Sequence, residues 1–335
     1  MRQKGHNTDL ALVKIKKLNK PHMAPSPQQS NSFAERAVVL VPTCNPGVIW
    51  PDFLQAIRQQ KPAPAKVVIL DSESTDGQIQ AAPDLHVHTI ARASFNHGAT
   101  RQEGIERFAA DAEFVVFLTQ DALLADPAAI ETLLSAFADP QVAAVYGRQL
   151  PHANATPVAA HARLFNYPDT SHTVDRQNSS QKGIKACFLS NSFAAYRRSA
   201  LMQSGGFAGD VILGEDTHLA ARLLLAGQSI RYQANACVYH SHNYSFREEF
   251  GRYFDTGVFH GQQPWLIQQF GNAGQEGLKF AKSEMLYLFK HAPWRIPEAV
   301  LRTVFKFSGY KLGLLSKNWP IFLNKCLSMH KGYWV

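Results

Sequence analysis

The amino-acid sequence predicts an α/β fold in which a mostly parallel central sheet is flanked by helices. From Ala37 onward, short and almost entirely apolar segments alternate with segments whose apolar residues recur at helical spacing. Continuous apolar strands are typical of parallel sheets that helices cover on both faces. The chain has 335 residues, which is enough for one large core and an appendage.

The predicted elements follow one another in a regular order. Strands are predicted at 37–43, 66–72, 85–90 and 113–121, because each is a short apolar run that ends in polar residues. Helices are predicted between them at 51–60 and 97–110. Neither G-x-G-x-x-G nor G-x-x-x-x-G-K-[ST] occurs, which argues against dinucleotide enzymes and P-loop NTPases.

The segment GEDTHLAARLLLAG at 214–227 predicts an amphipathic helix that is closed by Gly227. Its start carries Glu215 and Asp216, and acidic residues suit the positive end of the helix dipole. Ordinary acidic capping is one interpretation of this pair. The other is that Asp216 acts as a base on a hydroxyl, and that interpretation depends on the polar residues of the other segments.

The two ends of the chain differ from this α/β domain, which we place at 34–265. Residues 1–33 are polar and lack a sustained period, which predicts a flexible leader. The sequence has no apolar run of membrane-spanning length and no signal-peptide pattern. Its four cysteines are scattered without metal-type spacing, which predicts free thiols in a reducing compartment, the cytoplasm.

Residues 266–335 predict a helical appendage that is basic and rich in aromatic residues. Within 278–335 there are ten Lys or Arg residues and two acidic residues, so the whole formal charge of +8 arises there. Eleven aromatic residues are interleaved with these charges. This composition favours the surface of an anionic membrane. The alternatives are that the aromatic residues pack onto the main domain, or that the segment binds single-stranded nucleic acid.

Polar residues follow the predicted strands at the edge of the sheet where ligands bind in such folds. They are Thr43, Asp71, Ser72, Asp76, Gln120 and Asp121. A carboxylate such as Asp71 can accept from a pyrimidine ring or a ribose hydroxyl, although Asp, Ser and Gly also build turns for backbone reasons. Asp121 can offer oxygen to a divalent cation that bridges a diphosphate, or it can cap the helix that follows.

The segment FNHGATR at 95–101 is a candidate anion site. A helix is predicted to begin at His97 and Gly98, where backbone N–H groups can meet an anion. Arg101 lies one turn further on and can reach a phosphate, or can simply lie on a solvated helix face.

The segment YHSHNYS at 239–245 is a candidate source of metal ligands. His240 and His242 lie two residues apart, so that both side chains point the same way in an extended segment. Neutral imidazoles are common ligands of Mn and Zn, and we favour His242 as the partner of Asp121.

Together these segments resemble the family 2 glycosyltransferases of the GT-A fold, and among them the bacterial rhamnosyltransferases. The resemblance covers about 38–265. Besides the two segments at 214–227 and 239–245, it is carried by VVLVPTCNPG (38–47), VVILDSESTDG (67–77), SFNHGATRQEG (94–104), VVFLTQDA (115–122) and SNSFAAYRRSAL (190–201). The variants LTQDA, FNHG and SHNYS carry the similarity to rhamnosyltransferases.

The resemblance implies a role for individual residues. Thr43 and Asp71 would contact the nucleotide base, Arg101 the diphosphate, and Asp216 would be the general base. The other substrate-binding residues that it implies are Ser72, Asp76, Arg92, Asn96, His97, Gly98, Gln120, Asn191 and Glu215.

The resemblance also implies a divalent metal, Mg or Mn. Asp121 takes the last position of the family's D-x-D motif, and His242 matches a downstream metal position. The first position of D-x-D is Thr119, which departs from the family pattern and bears on whether the metal is strictly required.

The implied activity is that of an inverting glycosyltransferase, which moves L-rhamnose from dTDP-β-L-rhamnose onto a hydroxyl of a bacterial surface glycan. The acceptor would be polyprenyl-diphosphate-linked or an oligosaccharide, and the basic segment 278–335 would hold the enzyme on the inner face of the bacterial inner membrane. No nucleic-acid partner is expected, and a homodimer stays open.

Two alternatives to this activity stand. One is a transferase of the same fold that uses a UDP- or GDP-sugar for galactofuranosyl, glucosyl or mannosyl transfer. The other is a non-catalytic nucleotide- or glycan-binding protein. Asp216, Asp121 and the histidines argue against the second, because a binding protein needs no base.

Overall fold

A mixed sheet forms the centre of the protein. The structure, a computed structural model, describes residues 32–271 and 274–334. The strands in this part of the chain are β1 (Ala37–Thr43), β2 (Lys66–Asp71), β3 (His86–Thr89), β4 (Phe114–Leu118), β5 (Leu123–Leu124), β6 (Val142–Leu150), β7 (His172–Val174), β8 (Phe193–Arg197) and β9 (Ser229–Tyr239).

Helices cover the sheet and continue beyond it. They are α1 (Trp50–Arg58), α2 (His97–Phe108), α3 (Ala129–Leu134), α4 (Pro157–Asn166), α5 (Ser179–Lys182), α6 (Arg198–Gln203), α7 (Glu215–Leu225), α8 (Phe246–Gln262), α9 (Pro264–Phe270), α10 (Gly274–His291), α11 (Ile296–Leu315) and α12 (Ile321–Leu327). The predicted strands at 37–43, 66–72, 85–90 and 113–121 correspond to β1, β2, β3 and β4, and the helix predicted at 214–227 corresponds to α7. The α/β class is therefore confirmed.

The strand order is β3-β2-β1-β4-β8-β6-β9-β5, with β7 also paired to β9. The strands β3, β2, β1 and β4 are parallel, as is the pair β6–β9. The pairs β4–β8, β6–β8, β5–β9 and β7–β9 are antiparallel. The sheet is thus mixed, with a parallel half formed by β1 to β4 and antiparallel pairs around β8 and β9. Because β5 and β7 have only two and three residues, no periodicity in the sequence marks them.

Strand β1 explains why its sequence is an uninterrupted apolar run. Val38 and Leu40 pack into the core on one face of the sheet, whereas Val39 and Val41 pack into the core on the other. A strand that is buried on both faces has no side on which a polar side chain would reach water. Thr43, at its end, pairs in register with Asp71 at the end of β2. This pairing places the first polar residues of the two strands at one edge.

The C-terminal helices pack onto this core as part of the same compact unit, which begins at Ser32. Helix α9 crosses position 265, where we placed the end of the α/β domain. Helices α8 and α11 approach each other closely through glycines. A Cβ atom at Gly257 would lie 2.2 Å from the carbonyl oxygen of Tyr310, and one at Gly313 would lie 2.0 Å from that of Phe254. Only glycine fits at these two positions without separating the helices.

Helix α11 turns two of its charged residues, Arg302 and Lys306, inward. Arg302 and Lys306 are largely buried and form ion pairs with Glu249 of α8, at 2.8 and 3.1 Å. On the outward side, Val304 and Phe307 are 54% and 63% exposed. The usual pattern of a surface helix is thereby reversed. Within the described ranges, no helix is both long and apolar enough to cross a bilayer.

After α12 the chain runs back to the main domain. Asp255 of α8 is fully buried, and its Oδ2 atom accepts hydrogen bonds from the backbone N–H groups of Met329 and His330, both at 3.0 Å. The ring of His330 then packs edge-on against His97, with 4.9 Å between centroids. The leader predicted at 1–33 lies outside the described residues as far as 31, and Phe33 packs against Phe114.

Candidate active site

The first part of the site lies where β1 and β2 end. Thr43 is buried, and its hydroxyl donates to the carbonyl of Val41 at 3.0 Å. Asp71 is also buried, and its carboxylate accepts from the backbone N–H of Ser74 at 3.2 Å and from its hydroxyl at 2.5 Å. The hydroxyl of Ser72 is buried and has no partner among the described residues. The three residues that sequence analysis placed here are therefore brought together.

Asp76 and Gln120 hold the loops of this edge in place. The Oδ2 atom of Asp76 accepts from the backbone N–H of Gly47 at 2.8 Å. Gln120 accepts from the N–H of Cys44 at 2.6 Å and donates to its carbonyl at 3.1 Å. Arg92 is exposed and donates to the carbonyls of Ser72 and Glu73. These three residues bind backbone atoms of the β1 and β2 loops, so their predicted contact with substrate stays a prediction.

The start of α2 does not offer the open N–H groups that the sequence predicted. The side chain of Asn96 accepts from the backbone N–H groups of Gly98 and Ala99, at 2.9 and 3.0 Å, and so caps the helix. A Cβ atom at Gly98 would lie 1.8 Å from the carbonyl oxygen of Ala208. Two of the donors expected to meet an anion are thus engaged by Asn96, and Gly98 permits close packing, so the anion site at this helix start stays a prediction.

Arg101 lies one turn into α2, as predicted, but its side chain points into the protein. It is 5% exposed and forms an ion pair with Glu215, at 3.1 Å. It also donates to the carbonyl of His97 at 2.9 Å. Its guanidinium is thus committed to Glu215 inside the protein, and the expected contact with a diphosphate is not supported. His97 is packed between Phe95 and His330 beside this pair.

Asn191 links the two acidic residues at the start of α7. Its backbone N–H donates to Asp216 Oδ2 at 3.2 Å, and its side-chain amide donates to Glu215 Oε1 at 3.0 Å. Its own Oδ1 atom accepts from the hydroxyl of Tyr196 at 2.7 Å. Because Asn191 is buried and its side chain binds Glu215 and Tyr196, it orients the carboxylates, and its predicted contact with substrate stays a prediction. Sequence analysis missed Tyr196, for which spacing gives no signal.

The two carboxylates have opposite electrostatic environments. Burial acts to raise the pKa of Glu215, but the charge of Arg101, the interaction with His97 and the hydrogen bond from Asn191 together outweigh burial and lower this pKa below its usual value. For Asp216, burial and the negative charge of Glu215 together raise the pKa to about 7. Asp216 is partly exposed, whereas Glu215 is buried. A carboxylate with a pKa near 7 is well suited to accept a proton at physiological pH.

A second cluster lies at the other end of the site, where Asp121, His240 and His242 meet. Each residue offers one ligand atom, and these three atoms lie within 4.8 Å of one another. The Nε2 atoms of His240 and His242 lie 3.4 and 3.8 Å from Asp121 Oδ2. Sequence analysis favoured His242 alone, and the structure adds His240 to the group.

The chemistry of this cluster fits a divalent cation. His240 Nδ1 lies 2.8 Å from Gln149 Oε1, which also accepts from Arg163, so this nitrogen carries the proton and Nε2 keeps its lone pair for a metal. Burial lowers the pKa of His242 to about 4, which leaves this imidazole neutral. Burial acts to raise the pKa of Asp121, but its interactions with His240, His242 and Thr119 together outweigh burial and keep this pKa below its usual value. One carboxylate and two imidazoles form a suitable ligand set.

The chain is similar to two enzymes of Salmonella. It is 47% identical over 302 residues to the O-antigen chain rhamnosyltransferase RfbN of Salmonella typhimurium. The aligned region covers 89% of this chain and 96% of that protein. It is also 47% identical to the O-antigen chain rhamnosyltransferase WbaN of Salmonella anatum, over 88% of this chain and 95% of that protein.

Solved structures share the fold at low sequence identity. A mannosyltransferase from Pyrobaculum calidifontis, solved with GDP-Man and Mn²⁺, matches with a TM-score of 0.51 and 20% identity, over 89% of this chain and 85% of that chain. TarS residues 1–349 of S. aureus, solved with UDP, match with a TM-score of 0.52 and 16% identity, over 84% and 90%. Residues 38–205 match the family described as glycosyl transferase family 2. The chain therefore belongs to glycosyl transferase family 2 and is a glycosyltransferase, and within that family its sequence is similar to O-antigen chain rhamnosyltransferases.

Proposed function

We propose that the protein is an inverting rhamnosyltransferase, which moves L-rhamnose from dTDP-β-L-rhamnose onto a hydroxyl of a lipid-linked surface glycan. The observation that carries the chemistry is Asp216, a partly exposed carboxylate whose pKa is about 7. The choice of rhamnose and of a surface glycan is supported by the 47% identity to two O-antigen chain rhamnosyltransferases.

In this mechanism Asp216 accepts the proton of the acceptor hydroxyl while the hydroxyl oxygen attacks the anomeric carbon. Glu215 stays ionised because of Arg101, and its charge makes Asp216 the stronger base. The backbone N–H of Asn191 keeps the Asp216 carboxylate oriented. Attack from the face opposite the nucleotide inverts the anomeric centre, so a β-linked donor gives an α-rhamnoside.

The donor lies, in this proposal, across the edge formed by β1, β2 and β4. Thr43, Asp71 and Ser72 would contact the thymine base and the ribose. Asp121, His240 and His242 would hold Mg²⁺ or Mn²⁺, and such a cation would supply positive charge for the leaving diphosphate. The ligand set is compatible with either metal.

A donor panel tests this proposal. The purified protein is incubated with a synthetic acceptor and dTDP-rhamnose, UDP-galactose, UDP-glucose or GDP-mannose, each with Mg²⁺ or Mn²⁺, and the product is analysed by mass spectrometry and NMR. We expect transfer from dTDP-rhamnose alone, with an α-linkage. Transfer from a UDP- or GDP-sugar would be consistent with Asp216 as the base but would contradict dTDP-rhamnose as the donor. Nucleotide binding without transfer from any donor to any acceptor would contradict catalysis at Asp216.

We further propose that the C-terminal helices dock on the cytoplasmic face of an anionic membrane, where a lipid-linked acceptor lies. The C-terminal apolar surface consists of large apolar residues of α10 to α12 and their connections, each at least 47% exposed: Leu278, Leu286, Phe289, Trp294, Val300, Leu301, Val304, Phe307, Leu315, Ile321 and Phe322. Exposed lysines lie among them, including Lys290, Lys311 and Lys325. Apolar residues flanked by cations suit the headgroup region of an anionic bilayer. The four cysteines are free, which agrees with a reducing compartment.

Vesicle flotation tests this surface. We expect the protein to float with vesicles that contain phosphatidylglycerol, and Phe307→Ser combined with Phe322→Ser to reduce the floating fraction several-fold. The exposed alanine at position 81, changed to serine, is the control. If the double variant floats like the wild type, the docking surface is wrong. If the wild type does not float but forms a dimer in light scattering that the double variant loses, this surface is instead an interface between two copies.

A further inference from the structure

Arg252 is an exposed arginine that forms no ion pair with the residues that the structure describes. It lies on α8, and its Cζ atom is 5.9 Å from the centre of the Tyr244 ring. Among residues 32–271 and 274–334, no carboxylate oxygen lies within 4.0 Å of its guanidinium. The arginines of the two neighbouring networks differ, since Arg101 is paired with Glu215 and Arg302 with Glu249. A side chain that is left without a counter-ion beside a candidate site is available to an anionic ligand.

On one side, Arg252 is connected to the metal-binding cluster. The ring of Tyr244 stacks on that of His242, with 4.9 Å between centroids and 26° between planes. His242 Nε2 in turn lies 3.8 Å from Asp121 Oδ2. Arg252 is therefore separated from the proposed metal ligands by a single aromatic ring.

On the other side, Arg252 is close to the residues that flank the base. Arg252 lies one helical turn before Asp255 on α8, and Asp255 binds the backbone N–H of His330 at 3.0 Å. The rings of His330 and His97 pack against each other, and the carbonyl of His97 accepts from Arg101, the partner of Glu215. Arg252 thus lies between the metal-binding cluster and the pair of acidic residues on α7.

The chemistry of this position points to a diphosphate. An arginine fork can donate two parallel hydrogen bonds to phosphate oxygens, which a lysine cannot do. The sequence-based candidate for this contact, Arg101, is committed to Glu215. We propose that Arg252 binds a diphosphate group at the boundary between the donor and acceptor sides of the site. This inference rests on the proposed function, which supplies two diphosphates: that of the nucleotide sugar and that of a polyprenyl-diphosphate-linked acceptor.

The test uses Arg252→Ala and Arg252→Lys, with Arg247→Ala as the matched control, because Arg247 is exposed on the same helix. Isothermal titration calorimetry at fixed Mg²⁺ measures the Kd of inorganic pyrophosphate, dTDP and dTMP. Loss of hydrogen bonds to a charged group corresponds to roughly a tenfold to a hundredfold weakening. We expect this loss in Arg252→Ala for pyrophosphate, a smaller loss in Arg252→Lys, and none in Arg247→Ala.

The source of the diphosphate is distinguished by two further measurements. If Arg252→Ala weakens dTDP binding more than dTMP binding, the group is that of the nucleotide. If dTDP binding is unchanged but KM rises for a diphosphate-linked acceptor and not for the same glycan without diphosphate, the group is that of the acceptor. Pyrophosphate, dTDP and acceptor constants that all equal those of the wild type would overturn the inference. If the wild type binds pyrophosphate but not dTDP, the proposed donor fails, and the pyrophosphate result alone still decides the role of Arg252.

Discussion

Glu215 and Asp216 are adjacent carboxylates whose pKa values move in opposite directions. Arg101 pairs with Glu215 and keeps it ionised, and the charge of Glu215, together with burial, raises the pKa of Asp216. The two residues share Asn191, whose side chain binds the first and whose backbone binds the second. In the acidic pair at the start of α7, the negative charge of Glu215 therefore raises the pKa of Asp216.

Replacing Asp216 by Asn removes the proposed base with little change of shape. We expect kcat to fall by roughly a hundredfold to ten-thousandfold, as is usual for loss of a general base. The Kd of dTDP, measured by calorimetry, should change little. Asp111→Asn, an exposed residue between α2 and β4, serves as the control and should be fully active. An equal loss of dTDP affinity and kcat in Asp216→Asn would contradict the role of base.

The pH dependence of activity follows from the same residue. A base with a pKa of about 7 must lose its proton to act, so kcat/KM should rise with pH to a midpoint near 7. Glu215→Gln removes the negative charge that raises this pKa and should move the midpoint to lower pH. The measurement is kcat/KM between pH 5 and 9 for both proteins. A wild-type midpoint near 4 would show that Asp216 is not perturbed in this way.

The pH dependence of stability has a defined sign. Because folding raises the pKa of Asp216 from 3.8 to about 7, the folded protein binds more protons than the unfolded chain between these values, and its free energy of unfolding falls as pH rises through this range. In Asp216→Asn the side chain does not titrate, so this fall in the free energy of unfolding is absent. Its Tm should therefore exceed that of the wild type at pH 8, and the difference should shrink at pH 5. A constant difference across this range would argue against a raised pKa.

The ion pair of Arg101 and Glu215 should support stability as well as chemistry. Arg101→Met leaves the carboxylate of Glu215 buried without a counter-ion, which typically costs about 3–5 kcal/mol of the free energy of unfolding. Arg107 lies on the same helix, is 58% exposed and pairs with Glu103. Arg107→Met should cost less than about 1 kcal/mol, since exposed pairs contribute little. Urea denaturation measures both, and equal effects would contradict the burial of the first pair.

The metal-binding cluster can be tested without turnover. The affinity for Mn²⁺, measured by electron paramagnetic resonance, should fall strongly in Asp121→Ala, His240→Ala and His242→Ala. Gln149→Leu should weaken it by roughly 10–100-fold, because Gln149 orients His240. His291→Ala, an exposed histidine on α10, is the control. Unchanged Mn²⁺ affinity in His240→Ala would show that His240 is not a ligand and would leave Asp121 and His242 as the proposed ligands.

The glycines between α8 and α11 give a prediction on packing. Gly313→Ala would place a methyl group 2.0 Å from the carbonyl oxygen of Phe254, so the helices must separate, and we expect a loss of at least about 2 kcal/mol, as for other overpacked contacts. Gly277→Ala, in α10, meets no atom within 4 Å and should stabilise its helix by up to about 1 kcal/mol. Thermal unfolding of the two variants should therefore shift in opposite directions.

The parallel half of the sheet could be predicted from sequence because its strands are buried on both faces. Val38 and Val39 face opposite cores, and such strands have no polar positions. The antiparallel half could not be predicted to the same extent. Strand β9 alternates buried and less buried residues along its length, and β5 is only two residues long. Apolar run length is therefore informative for β1, β2 and β4, and not for the strands that carry the rest of the site.

Within the site, the residues were easier to identify than their partners. The sequence indicated Asp216 and Asp121, but it could not show that Arg101 pairs with Glu215 or that Asn191 joins both acidic residues, since these contacts depend on tertiary structure. One of the contacts that we did not predict had a local signal. Asn96 directly precedes the helix and is a favoured N-cap residue, which predicts that it occupies the N–H groups we had assigned to an anion.

The contact between His97 and His330 has a consequence for how the protein is made. His97 lies on α2, early in the chain, whereas His330 lies after the last helix, and Asp255 holds it in place. During synthesis on the ribosome, the strands β1 to β4 and even the helix with Asp216 emerge well before the segment that covers them on this side. Contacts between residues so distant in sequence form slowly and late in folding. The nascent chain therefore contains Glu215 and Asp216 before the segment with His330 can pack against His97. Transferase activity should appear only after residue 330 has left the exit tunnel.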